Sequence, residues 1–137
     1  MTRNAWNPAL GVALIMICLV SFRKPTQFDL KSSMARGQGI YETYCLSCHM
    51  DKGEGLEDVY PPLAKSDYLM ADKKRSIRQV LYGVTGEIHV NGKKYNTDMT
   101  GFDLTDQEAS DVLNYIRNSW GNQGAAVTPA EVKAARQ

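Results

Sequence analysis

The sequence predicts an all-α fold: a small, mainly helical domain with one minor hairpin. Apolar residues recur at helical spacing in three stretches, ending at Tyr44, Tyr82 and Ile116. Thr105-Asp106-Gln107-Glu108 is a capping box that opens the last of them. The one strong strand signal is Asn91-Gly92 between short alternating segments, which specifies a two-residue hairpin turn. With 137 residues the chain has room for one compact domain and a short tail at each end. A net charge of +1 gives no global basic field, so nucleic acid is not an expected partner.

Residues 1–24 read as a signal peptide or a short membrane anchor. Arg3 gives a weakly positive start, Ala9 to Phe22 is uncharged and mostly apolar, and Arg23 and Lys24 stop it. That run is shorter than the roughly 20 residues a helix needs to cross a bilayer, and it matches the apolar region of an export signal better. A buried helix is the alternative, but nothing amphipathic follows to pack on it. No Ala-x-Ala site follows; Leu19 and Ser21 are a poor substitute, so retention as an anchor stays open beside cleavage. Cys18 reads as a small hydrophobe, since Ile17 before it is not the small residue that usually precedes a lipidated cysteine. Without the leader two cysteines remain, consistent with a periplasmic protein or one on the outer face of the cytoplasmic membrane.

Residues 25–33, with Pro25, are expected to be a linker. A helix should run from about Ser33 to Tyr44, capped by Ser32 or Ser33. Asp51 to Tyr60 is rich in glycine and acidic residues and must be a loop. Pro61-Pro62-Leu63 follows in extended conformation. Asp67 to Tyr82 should be helical, in one or two pieces, with Gly83 ending it. The hairpin spans Glu87 to Tyr95, and the last strong helix should run from Thr105 towards Trp120 and close at Gly121. The domain proper is thus 34–122, and residues 123–137 are expected to be a polar tail with one short helix from Thr128-Pro129.

Chemistry concentrates in Cys45-Leu46-Ser47-Cys48-His49, an attachment pattern for covalent haem. Each thiol can add across one porphyrin vinyl group, and His49 is then held under the ring to bind the iron. What fills the opposite face separates an electron carrier from a haem enzyme. Met50 is adjacent to His49 and cannot reach that face. Met70 lies on an expected helix, where core packing is the blander account. Met99 sits in the irregular Asn96–Gly101 stretch before the last helix, and a loop can bring its thioether over the ring. His89 reads as a surface strand residue, with a second imidazole ligand as its alternative role. A peroxide or gas-binding haem protein with an open sixth position would want a distal histidine and arginine, and His89 is the only spare histidine. Zinc on Cys45, Cys48, His49 and His89 is disfavoured because adjacent residues rarely face one tetrahedral centre. A thiol–disulfide site lacks its strand–helix–strand context.

These residues carry a resemblance. The segment 37–120 resembles a class I cytochrome c, of the small bacterial mono-haem kind found alone or joined to periplasmic dehydrogenases, nitrite reductases and oxidases. Gly37 and Tyr41 stand where that family has the glycine and aromatic of its first helix, and Val112 and Tyr115 where the last helix crosses it. Pro61-Pro62-Leu63 matches its Pro-x-Leu loop, whose proline carbonyl accepts a hydrogen bond from the proximal histidine. Val90 to Lys93 through Met99, and Val112 to Arg117 through Asn122, look like the small bacterial members. The resemblance implies helices wrapped around one haem c joined to Cys45 and Cys48, with His49 and Met99 on the iron and Pro61 and Leu63 beside it. It implies single-electron transfer rather than catalysis, with a periplasmic dehydrogenase, reductase or terminal oxidase as partner, free or as a fixed subunit of a respiratory complex. One departure bears on the site: many relatives have proline after the ligand methionine, and here Thr100 follows Met99. Lys65, Lys73, Lys74, Arg75 and Arg78 form a basic cluster, read as a solvated helix face or a docking patch for an acidic redox partner.

Overall fold

Two long helices cross at a single glycine, and that crossing organises the rest of the computed structural model, which describes residues 28–137. The first, α1 (Leu30–Tyr44), starts a turn before the expected point. Its cap is Asp29, whose carboxylate accepts from the Ser32 backbone N–H at 3.1 Å. Ser33 is free to do something else: it is fully buried and donates to Asp111 at 2.5 Å. The expected linker therefore gives way to helix at Leu30. The leader, residues 1–24, lies outside the described residues, and among those described no helix is long and apolar enough to cross a membrane.

The partner in the crossing is α5 (Asp106–Ile116). Its capping box forms in both halves: Thr105 accepts from the Glu108 N–H at 3.2 Å, and Glu108 accepts from the Thr105 N–H at 2.8 Å. Gly37 faces the Asp111 backbone there, so closely that a methyl group would lie 2.0 Å from the Asp111 carbonyl oxygen. Arg36 closes over the same place, donating to the Asp111 carboxylate through Nε at 2.7 Å and Nη2 at 2.8 Å. The helix ends earlier than expected, with Arg117 as its C-cap. Arg117 turns inward instead and donates to the Leu69 carbonyl at 2.7 Å, while Asn122 donates to the Ile116 carbonyl left open at the helix end.

Between these helices the chain forms α2 (Leu46–His49), α3 (Asp67–Ala71) and α4 (Lys73–Tyr82). The stretch 67–82 breaks in two because Asp72 is extended and its carboxylate caps α4 through the Arg75 N–H at 2.9 Å. Gly83 closes α4 and begins β1 (Gly83–Val84). The hairpin consists of β2 (Ile88–Val90) and β3 (Lys93–Tyr95), with Ile88 opposite Tyr95 and Val90 opposite Lys93. Both turn residues, Asn91 and Gly92, have positive φ, as a two-residue turn of this hand needs. Asn91 and Asp67 also exchange hydrogen bonds between side chain and backbone, which ties the turn to the start of α3.

The expected polar tail is part of the core. Thr128 and Glu131 form a second capping box that opens α6 (Pro129–Ala135) with Pro129 in its first turn. Val127, Val132 and Ala135 are all buried against α4 and α5. Asn114 on α5 grips Val127 by both backbone groups, accepting at 2.7 Å and donating at 2.8 Å. Composition misled here because the segment's apolar residues are mostly alanines, and the buried ones, Val127, Val132 and Ala135, are scattered among small and polar residues.

Candidate functional site

The last turn of α1 hands the chain directly to the cysteine pair. The Cys45 N–H donates to Tyr41 at 2.9 Å, and the His49 N–H donates to Cys45 at 2.9 Å, so the backbone stays helical through the motif. Spacings of three and four residues then put Cys45, Cys48 and His49 on one helix face. All three line a single cavity of about 400 Å³. Burial pushes the Cys45 thiol up to about 11, with the neighbouring Cys48 adding less. Neither cysteine is bridged. A thiol held protonated is a poor disulfide-exchange nucleophile.

Immediately after His49 the backbone is strained. Met50 has φ 61° and ψ 169°, a region that side chains rarely enter and that costs about 1–3 kcal/mol. The Tyr41 hydroxyl donates to the Met50 carbonyl at 2.5 Å and holds it there. Tyr41 itself is 1% exposed and is packed by Tyr115 and Trp120, with ring centroids 5.4 and 5.1 Å away. Tyr41→Phe keeps the ring stack and removes only the hydroxyl, so unfolding by denaturant should show a loss of about 1 kcal/mol. A full-strength protein would mean the bond contributes nothing to holding this turn.

His49 Nδ1 lies 3.0 Å from the Pro61 carbonyl oxygen. A carbonyl only accepts, so the proton sits on Nδ1 and the other ring nitrogen keeps its lone pair. Burial holds the imidazole below its ordinary pKa, against a smaller opposing effect of that hydrogen bond. The acceptor is itself fixed. Leu63 and Ala64 donate to Gly53 at 2.7 and 2.8 Å, and Asn122 donates to the Leu63 carbonyl at 2.8 Å. Pro61 and Leu63 both line the cavity.

Of the four candidate donors, Met99 lines the cavity and Met50, Met70 and His89 do not. Met70 packs against the core, and His89 is exposed beside Glu87. Met99 is not in an irregular loop, as expected, but in the two-residue strand β4 (Met99–Thr100), paired antiparallel with β1. Val84 stands opposite Met99 and Gly83 opposite Thr100. Gly83 is required by closeness, since a methyl there would lie 2.2 Å from the Met99 carbonyl oxygen. Two residues on from Thr100, the Phe102 N–H donates to Val80 at 3.0 Å. These backbone bonds supply the rigidity that a proline after Met99 would otherwise give.

The remaining walls are apolar, from Val112, Leu113 and Ile116 of α5 and Ile88 and Val90 of the hairpin. One end is polar: Gln79 donates to the Tyr68 hydroxyl at 2.7 Å, and both line the cavity with Ser66 and Ser76. Sequence reasoning missed this wall and this end. The period-two pattern of the hairpin exposes one buried face, but it does not say what that face meets. An apolar cleft with two thiols at one edge, a neutral imidazole and a thioether fits a flat, largely apolar ring bearing a metal ion.

The cytochrome c family model matches residues 34–120. The chain belongs to the cytochrome c family. It accordingly carries one covalently bound haem c. Residues of this cytochrome are 39% identical over 98 positions to a cytochrome c-552 of Thermus thermophilus, covering 68% of this chain and 66% of that protein. A second match, 34% identical over 98 residues, is to the cytochrome c subunit of a quinone alcohol dehydrogenase of Gluconobacter oxydans. That match covers 69% of this chain but 20% of the subunit. The fructose dehydrogenase cytochrome subunit of Gluconobacter japonicus is 29% identical over 105 residues, 22% of its length. The chain thus spans just under two thirds of the first of these relatives and about a fifth of the dehydrogenase subunits.

Proposed function

We propose that this cytochrome carries single electrons between redox proteins at the outer side of a bacterial cytoplasmic membrane. Its haem is attached at Cys45 and Cys48 and held between His49 and Met99. The observation that carries the reading is one cavity lined by both an imidazole and a thioether, each fixed from behind by backbone hydrogen bonds.

When bound, the haem supplies a one-electron iron couple. The protein's part is to hold two soft, neutral donors in place. Pro61 orients His49 and keeps its proton off the iron-facing nitrogen, while β1 and α4 hold Met99. His49 and Met99 would together hold the iron and would leave no site on it for a substrate, which separates a carrier from a peroxidase-like enzyme. Val112, Leu113 and Ile116 exclude water from the cavity wall, so little solvent must reorganise when the charge changes. A thioether ligand favours the reduced metal and raises the potential.

Residues 1–24 direct export in this reading. A dehydrogenase is the favoured electron donor, supported by relatives that are cytochrome subunits of alcohol and fructose dehydrogenases. A reductase or terminal oxidase would take the electron on. The test is an absorption spectrum of the exported protein in both redox states, with its mass and its response to carbon monoxide. Added haem mass, a low-spin spectrum and no carbon monoxide binding at neutral pH are expected. Ready binding of carbon monoxide would mean an open sixth site and would end the carrier reading.

A further inference from the structure

Among the described residues, two side chains that carry a charge at neutral pH are buried, Asp111 and Arg117. Asp111 has its counter-charge in Arg36, at 2.7 Å. Arg117, 4% exposed, takes part in none of the ion pairs of the described residues. Its Nε has no hydrogen-bond partner either. Burial alone holds its pKa below the ordinary arginine value, with no carboxylate acting the other way. The group stays charged all the same, because a guanidinium does not lose its proton in proteins.

The hydrogen bond that Arg117 makes does not account for the charge. Its Nη1 donates to the Leu69 carbonyl at 2.7 Å, yet the Ser76 hydroxyl donates to the same oxygen at 3.0 Å. Without Arg117 that carbonyl would keep a partner. An uncompensated charge in the interior costs stability, and a neutral side chain of similar length would not. Nothing in the packing offsets that penalty.

The location supplies a reason. Leu69 and Ser76 line the haem cavity, and so does Ile116, the neighbour of Arg117 in the chain. The guanidinium is held directly behind that wall, where little water is present to screen it. Two unit charges about 12 Å apart, at an effective dielectric of about 20, shift an equilibrium roughly tenfold. Ferric haem carries one more positive charge than ferrous haem, so a fixed cation nearby disfavours oxidation.

We infer that Arg117 sets the reduction potential: its buried guanidinium raises the haem couple by opposing the positive charge of the oxidised state. It does not line the cavity, so it acts through its field and is not a catalytic residue. No bond forms or breaks and no proton moves; the iron exchanges one electron with a redox partner. The inference rests on the electron-carrier reading, and its test separates the two.

The midpoint potential of the haem-loaded protein is measured by spectroelectrochemical titration. Arg117→Gln removes the charge and keeps an amide donor. It should favour the oxidised state about tenfold, which for a one-electron couple is a fall of about 59 mV. Arg117→Met, neutral and without a donor, should give the same fall and covers the case in which the glutamine variant folds poorly. Both should be at least as resistant to denaturant as the wild type, and both should keep the iron–sulfur band expected of Met99. A structural pin predicts the reverse, with stability lost and the potential unmoved. Lys74→Gln makes the same change in net charge at an exposed position and should shift the equilibrium by less than twofold. A wild-type potential in either folded variant overturns the inference. So does loss of the iron–sulfur band, which would trace the shift to a displaced ligand, or failure of both variants to fold. A wild-type protein with no reversible one-electron couple overturns the carrier reading instead.

Discussion

Met99→Ala should remove the weak long-wavelength iron–sulfur charge-transfer band expected of the oxidised protein and lower its reduction potential by ~0.2 V, a quarter of the ≈ 0.8 V that axial ligands command across haem proteins. The direction follows from chemistry: a thioether is soft and neutral and stabilises ferrous iron, and water or hydroxide in its place stabilises ferric iron. The size follows from position. Met99 lines the cavity that His49 lines, and the β1–β4 pairing fixes its backbone, so no neighbouring residue slides in to replace it. Met70 is the natural control, since it packs on the core away from the cavity lining. Met70→Ala should keep the band and cost only packing, about 2 kcal/mol of stability. The opposite pattern, with the band lost in Met70→Ala and kept in Met99→Ala, would transfer the ligand role to Met70. Carbon monoxide gives a second readout: the reduced Met99→Ala protein should bind it at neutral pH, where the wild type should not.

Local chemistry was legible in the sequence, and long-range polar contact was not. The capping box at Thr105, the Asn91-Gly92 turn and the close at Gly83 each depend on residues within four positions of one another, and each stands in the fold. The cysteine–histidine motif is of the same kind, because a helix converts its spacing into one face. Ser33 meeting Asp111 is different. Those residues are 78 positions apart, and Ser33 and Asn114 are 81 apart. Nothing near Ser33 says that its hydroxyl is buried, so it reads as a helix cap when Asp29 holds that place. The C-terminal segment fails for a related reason. Its anchors, Asn114 and Ser110 to Val127 among them, are side chains reaching across to another element's backbone. Arg117 likewise has no local sign of burial, and it is 4% exposed with its guanidinium donating to the Leu69 carbonyl of α3. In the site itself, chain order places Met99 ahead of the last helix, but the strand that anchors it is visible only once Gly83 is opposite Thr100.

Gly37→Ala should cost ~3 kcal/mol, the upper part of the range for forcing atoms into a packed core, while Gly39→Ala two residues on should stabilise by about 0.8 kcal/mol through helix propensity. Both glycines are in α1, so backbone conformation is the same and only the surroundings differ. A methyl on Gly39 meets nothing within 4 Å. A methyl on Gly37 lies 2.0 Å from the Asp111 carbonyl oxygen, 2.5 Å from its carbon and 2.9 Å from the Tyr115 Cβ. Two of those three atoms are backbone, so relief requires the helices themselves to separate. Separation then stretches what depends on their distance: the Arg36 and Ser33 bonds to Asp111, and the contact of Tyr41 with Tyr115. Because Tyr41 also holds the strained Met50 turn, the displacement reaches His49, and the haem spectrum of the variant should lose definition before the helices unfold. Denaturant midpoints read by circular dichroism, with the slope unchanged, give the two stabilities directly. A Gly37→Ala protein with the wild-type midpoint would show that the helices do not meet at this residue.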